Sequence, residues 1–213
     1  MPSGSCVSLL ATQVPEAFRG WTTRDSSDEA TLDLYADGVV IWAAPSPYWS
    51  LLHHPGTADR ITAYLDDGGR LFLTGQLTAF FIRETELLED YIGATYLELA
   101  GSDRTLNGRT GDPIGDGLTL DISGGDGADN QILPCIVNPI SPTQTVLTYT
   151  QGGTAAVSAD GGTYRVVHLA FGFEAINTAT DRQVVMARVL GWLTGSPVRT
   201  RWSVYLPLVT KGH

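Results

Sequence analysis

The stretch Asp37 to Thr74 constrains the fold of this chain more than any other. "DGVVIWAA" (Asp37 to Ala44) is an unbroken apolar run of strand length, the pattern of a strand buried on both faces. "PSPYWSLLHHPG" follows as a loop punctuated by three prolines and a glycine. "TADRITAYLDDGG" then carries Ala58, Ile61 and Leu65 on one helical face. Thr57 is placed to cap its start and Gly68 to follow its end. "RLFLT" is a second buried strand. A strand, a helix and a strand on short links predict a right-handed crossover and two parallel neighbours.

The next residues set the functional question. "GGRLFLTGQLTAFF" turns sharply after its strand, at the place where many α/β hydrolytic folds present a nucleophile. Thr74, Gly75 and Gln76 stand there, with no Cys or Ser. "TAFFIRETELLEDYIG" reads as a helix with Leu87, Leu88, Tyr91 and Ile92 on one side, closed by Gly93. From about 95 to 162 short β-prone pieces alternate with turn signals such as "GDPIGDG", "SGGDGADN" and "NPISP", which predicts an antiparallel, β-rich insertion. "TYRVVHLAF" (Thr163 to Phe171) then reads as a strand. "DRQVVMARVLGWL" reads as a helix with Val185, Val189, Trp192 and Leu193 inward. Residues 196–213 read as a separate C-terminal tail. Among the first 36 residues, "RGWTT" suits a short strand and Cys6 to Phe18 leans towards helix, which would leave the first strand of the domain missing.

Composition excludes several functions. The 213 residues suffice for one domain with a buried core, and a net charge of −10 opposes a nucleic-acid partner. Lys211 is the only lysine, so Schiff-base, P-loop and Ser-Lys chemistries have no residue to use. No apolar run approaches the roughly 20 residues of a membrane span. The N-terminus lacks the basic start and long apolar core of a signal peptide. Cys6 and Cys135 lack metal-ligand spacing, and whether they pair or stay as buried thiols is open.

Taken in order, "DGVVIWAAPSPYW", "ITAYLDDGGRLFLTGQ", "GDPIGDGLTLDISGGDGADNQ" and "VVHLAFGFEAINTATDRQVVMARVLGWL" resemble a class I glutamine-amidotransferase-like domain. The likeness is to the variety found beside catalytic domains in secreted bacterial peptidases, and it covers roughly Asp37 to Leu193. It implies an α/β three-layer sandwich with a flavodoxin-like, mostly parallel sheet over residues 1–195, carrying the β-rich insertion and ending in the tail. Together with the ending "SVYLPLV", it also points to export of the full-length product. In active members of that superfamily a Cys follows the strand matching "RLFLT", and a His and a Glu follow the last core strand. Here the Cys position falls near Leu73 to Gly75 without a thiol. Glu174 is present, but Gly172 and Phe173 stand where the His is expected. Thioester chemistry has no nucleophile.

Ligands of open parallel sheets sit at the carboxyl ends of the strands, which nominates a crevice of Asp25, Tyr48, Trp49, Gly75, Gln76, Phe173 and Glu174, suited to a sugar or a peptide. "DISGGDGADN" offers Asp121, Asp126, Asp129 and Asn130 to a calcium ion, or forms a plain turn. Three readings stay open. One is a non-catalytic accessory or interaction domain that binds a peptide, a glycan or a neighbouring domain. Another is a hydrolase using Glu174, with Asp25 or His168 as partner. The third is a structural module whose missing strand is supplied by a homodimer partner.

Overall fold

The computed structural model describes residues 18–22, 38–44, 46, 52, 54–195 and 204–208, with backbone alone for 18–22 and 204–208. The crossover expected from Asp37 to Thr74 is present: β2 (Val39–Ala44), helix α1 (Thr57–Asp66) and β3 (Arg70–Gly75), with β2 and β3 parallel. Every residue of β2 is buried because both its faces are covered. Val39, Ile41 and Ala43 enter one core cluster, while Val40 and Trp42 enter another on the opposite face. α1 closes the second cluster with Ile61, Tyr64 and Leu65. Helix α3 (Ala179–Thr194) closes the first with Val185, Val189 and Leu193, each such buried side chain contributing about 1.5–3 kcal/mol. Trp192 only leans on that cluster, with the Arg165 guanidinium 5.4 Å from its ring centre.

Two local details differ from the pattern. Gly56, at φ 83°, occupies the cap position of α1, and the Thr57 hydroxyl is buried inside the first turn without a hydrogen bond. The helix expected from 78 to 92 is broken. α2 (Thr78–Phe81) stops after one turn, and a π-helical turn (Leu87–Tyr91) follows. Thr85 is the cause, since its hydroxyl and its amide both bond to the Ile82 carbonyl and close a turn there.

The remaining strands are β1 (Phe18–Thr22), β4 (Ala94–Leu99), β5 (Thr105–Gly108), β6 (Thr119–Asp121), β7 (Cys135–Pro139), β8 (Gln144–Tyr149), β9 (Thr154–Asp160), β10 (Arg165–Leu169) and β11 (Val204–Leu208). The order is β1-β11-β2-β3-β10-β9-β8-β5-β6, and β7, itself paired with β4, also touches β9. Among the described residues four pairings, from β1 through β11, β2 and β3 to β10, are parallel, and the six others are antiparallel. This is a mixed sheet curled into a half-barrel with few helices, which corrects the expected flavodoxin-like, mostly parallel sandwich. The reason lies in the turns. β9 and β10 are joined through Gly161 and Gly162, with Asp160 accepting from the Gly162 amide, and so short a link can only reverse the chain. Thr150 to Gly153 do the same between β8 and β9.

The tail is not separate either. Its residues Val204–Leu208 enter the sheet as β11, parallel to both β1 and β2. "RGWTT" falls within β1 and its following residue, and the helix considered for Cys6 to Phe18 lies outside the described residues up to 17. The place beside β2 is thus taken by this chain's own strand, and the premise of a strand donated by a second copy falls away.

Candidate functional site

The carboxyl ends of β3 and β10 are stitched together before any ligand is considered. The Thr74 hydroxyl donates to the Phe171 carbonyl at 2.8 Å and accepts from the Phe173 amide at 2.8 Å. The Gly75 amide also bonds to Phe171 O, at 3.0 Å. Gly75 holds φ 152°, and a Cβ there would run into the Ala44 carbonyl at the end of β2. Glycine is required at this turn because two backbones nearly touch.

Gln76 follows, fully buried, and its side chain holds a segment more than fifty residues away. Oε1 accepts from the amides of Ile132 at 2.8 Å and Leu133 at 2.9 Å, while Nε2 donates to the Asn130 carbonyl at 2.8 Å. The Leu77 amide adds a bond to Leu133 O. The Asn130 side-chain amide donates to Glu174 Oε1 at 3.0 Å, and Gln131 bridges the Asn130 side chain to the Gly172 amide. Gly172 leaves room for this, since a Cβ there would sit 2.7 Å from Gln131 Nε2. Residues 130–133 are therefore bonded across the carboxyl ends of β3 and β10.

Of the expected crevice, the structure brings together Gly75, Gln76, Phe173 and Glu174, and all four are buried. Phe173 faces inward, edge-on to Phe72 at 5.9 Å between ring centres. Asp25, Tyr48 and Trp49 lie outside the described residues. The sequence reading missed Gln131, named Thr74 without the bonds it makes, and gave Asn130 a different role. No local signal could reveal them, because each acts on a partner 41 to 99 residues distant.

Of the two readings of "DISGGDGADN", the local bonds are those of a turn. Asp121 accepts from the Ser123 hydroxyl, Asp129 from the Gly124 amide, and Asp126 pairs with Arg182 at 2.9 Å. Asn130 belongs to the Glu174 network. Among the described residues no group of three or more His, Cys, Asp or Glu is placed to hold a metal ion. The glycines of "SGGDGADN" serve close approach instead. A Cβ on Gly127 would lie 2.6 Å from the Ala175 carbonyl, and one on Gly125 would strike Asn177 O. Backbone bonds from Asp126 to Asn177 and from Ala128 to Glu174 lay this loop along residues 174–177.

His168 of β10 is completely buried, and Nε2 lies 2.8 Å from the Thr78 hydroxyl. That hydroxyl donates to Gly75 O, so Nε2 carries the ring proton, and Nδ1 has no hydrogen-bond partner. Burial pushes the imidazole down to about 3, so it is neutral at pH 7, with its one N–H donating to the Thr78 hydroxyl. Because the folded state binds its proton less readily than the unfolded chain, stability falls as the pH drops below about 6.5, and the loss levels off near the folded value. Urea unfolding of wild type and His168→Gln between pH 7 and 4 checks this. The wild type is expected to lose up to about 1.4 kcal/mol more per pH unit than the variant. Parallel curves would contradict it. Cys135, at the start of β7, is a buried thiol pushed up to about 11 by desolvation, far from a thiolate nucleophile.

No family model matches the chain, and no curated protein matches it. Solved structures resemble it at low identity. A protein assigned as a GMP synthase component from Thermoplasma acidophilum is 14% identical with a TM-score of 0.52, over 79% of this chain and 77% of its own. The cytoplasmic protein STM1381 from Salmonella typhimurium LT2 is 12% identical with a TM-score of 0.50, over 89% and 84%. An exo-β-1,4-mannosidase, Op5Man5 from an Opitutaceae bacterium, has a TM-score of 0.44 and 14% identity over 66% of this chain, which spans only 23% of that enzyme. Such identities speak to fold alone. No described helix is long and apolar enough to cross a membrane.

Proposed function

We propose that this chain is a non-catalytic accessory or interaction module, a degenerate relative of amidotransferase-like domains whose ligand crevice is filled from within. The observation that carries this reading is Gln76. At the turn where a nucleophile would stand, its side chain instead makes three hydrogen bonds that seat residues 130–133 over the strand ends. The neighbouring groups support it. Thr74 is bonded on both sides, the His168 N–H donates to Thr78, and Glu174 accepts from Asn130. A general acid or base must reach a substrate proton, and these groups face other protein atoms.

The test is a turnover assay on a panel of chromogenic amides, esters and glycosides, run on wild type and Glu174→Gln. Both are expected to match the uncatalysed rate. Turnover by the wild type that disappears in Glu174→Gln would establish the hydrolase reading instead.

A further inference from the structure

The second core cluster breaks the surface beside this plug. Phe80 of α2 stacks edge-on against Tyr96 of β4 at 5.5 Å between ring centres, and both are only partly covered. Among the described residues β4 pairs with β7 alone, and its register skips a residue at Leu97. That extra residue leaves Leu97 50% exposed, with Leu99 39% exposed two positions on. Ile132, on the plug itself, is 60% exposed. Backbone bonds bring these segments together. The Leu77 amide reaches Leu133 O, and the Ala100 amide reaches Pro134 O, so the turn, the plug and the end of β4 lie side by side.

Single exposed leucines are ordinary on protein surfaces, but this grouping of Leu77, Phe80, Tyr96, Leu97, Leu99 and Ile132 is the signature of a docking surface. Its rim is mainly acidic. Glu84, Glu86 and Glu98 are exposed, while Arg83 is tied up, lying 4.1 Å above the Phe80 ring and 3.1 Å from Glu84. Arg104, near the plug, turns its guanidinium onto the carbonyls of Gly101, Asp103 and Gln131. A second copy would bring the same acidic rim, on a chain of net charge −10.

We propose that this patch docks a partner segment that is apolar on one side and carries Lys or Arg at its margins. The inference rests on the interaction-module reading and names the surface and the chemistry of its occupant. A short peptide alternating leucine and lysine serves as the probe, and one alternating leucine and glutamate as its control. Both are titrated into the full chain by calorimetry at low and high salt. The basic peptide is expected to bind and to weaken with salt, while the acidic peptide does not bind. The double variant Leu97→Ser/Ile132→Ser, which leaves every charge in place, is expected to weaken binding about tenfold or more. Glu98→Gln is expected to flatten the salt dependence.

Binding that survives the double variant overturns the proposal, because charge alone would then explain it. Equal binding of the two peptides also overturns it. So does self-association of the wild type that vanishes in the double variant, which would make a second copy the occupant. None of these outcomes touches the non-catalytic reading, which the turnover assay decides separately.

Discussion

Gln76→Leu is expected to lower the unfolding free energy by about 2–4 kcal/mol. Leucine keeps much of the volume, so the loss isolates the hydrogen bonds. Two amides, of Ile132 and Leu133, and the Asn130 carbonyl would lose their partners together. Ile132 is partly open to water, which softens the penalty for its amide and keeps the figure below the sum of three fully buried losses. Gln76→Glu separates the parts: its carboxylate can still accept from both amides but cannot donate to Asn130 O. Urea unfolding of the three proteins checks the account. A change under about 1 kcal/mol in Gln76→Leu would mean that the plug is held by its backbone contacts alone.

Gly75→Ala carries the other large effect, about 3–5 kcal/mol, from two sources that add. The residue sits at φ 152°, which L side chains avoid, and its new methyl group would press into the Ala44 carbonyl, with Ala44 C only 2.8 Å away. Relief requires β2 and β3 to part at the end where the chain is most tightly stitched. Gly162→Ala is the control, since Gly162 has φ 84° but nothing within 4 Å of the added carbon. It is expected to cost only about 1 kcal/mol, the backbone share of the effect. Equal losses at the two sites, read from thermal or urea unfolding, would show that the close approach of β2 to β3 is not what Gly75 serves.

The crossover was legible because its information is local. An unbroken apolar run of strand length suits a strand covered on both faces, and Gly68, in the left-handed region just after the helix, suits a helix end. The absence of Cys and Ser at Thr74, Gly75 and Gln76 was legible too, since it needs no structure to see. Strand order was not. Nothing in "VYLPL" specifies that it lies between β1 and β2, because a parallel neighbour is chosen by long-range packing. The sandwich expectation failed for a related reason. It followed the parallel half of the chain and gave too little weight to the reversals at Gly152, Gly153, Gly161 and Gly162, which make the other half antiparallel. The Gly-rich loop was legible as a turn, but not what its glycines do. Its carboxylates resembled cation ligands, yet its glycines are there to press the backbone against Ala175 and Asn177, and only the folded chain shows those carbonyls opposite them.

Native-state hydrogen exchange at Ile132 and Leu133 tests the central claim most directly. Both amides are bonded to a fully buried Gln76, so the account predicts that they exchange slowly, on the scale of the β3 amides Leu71 to Leu73. Exchange as fast as in the exposed turn at Gly161 and Gly162 would mean that the plug opens freely, leaving Glu174 and the turn at Gly75 accessible to a ligand after all.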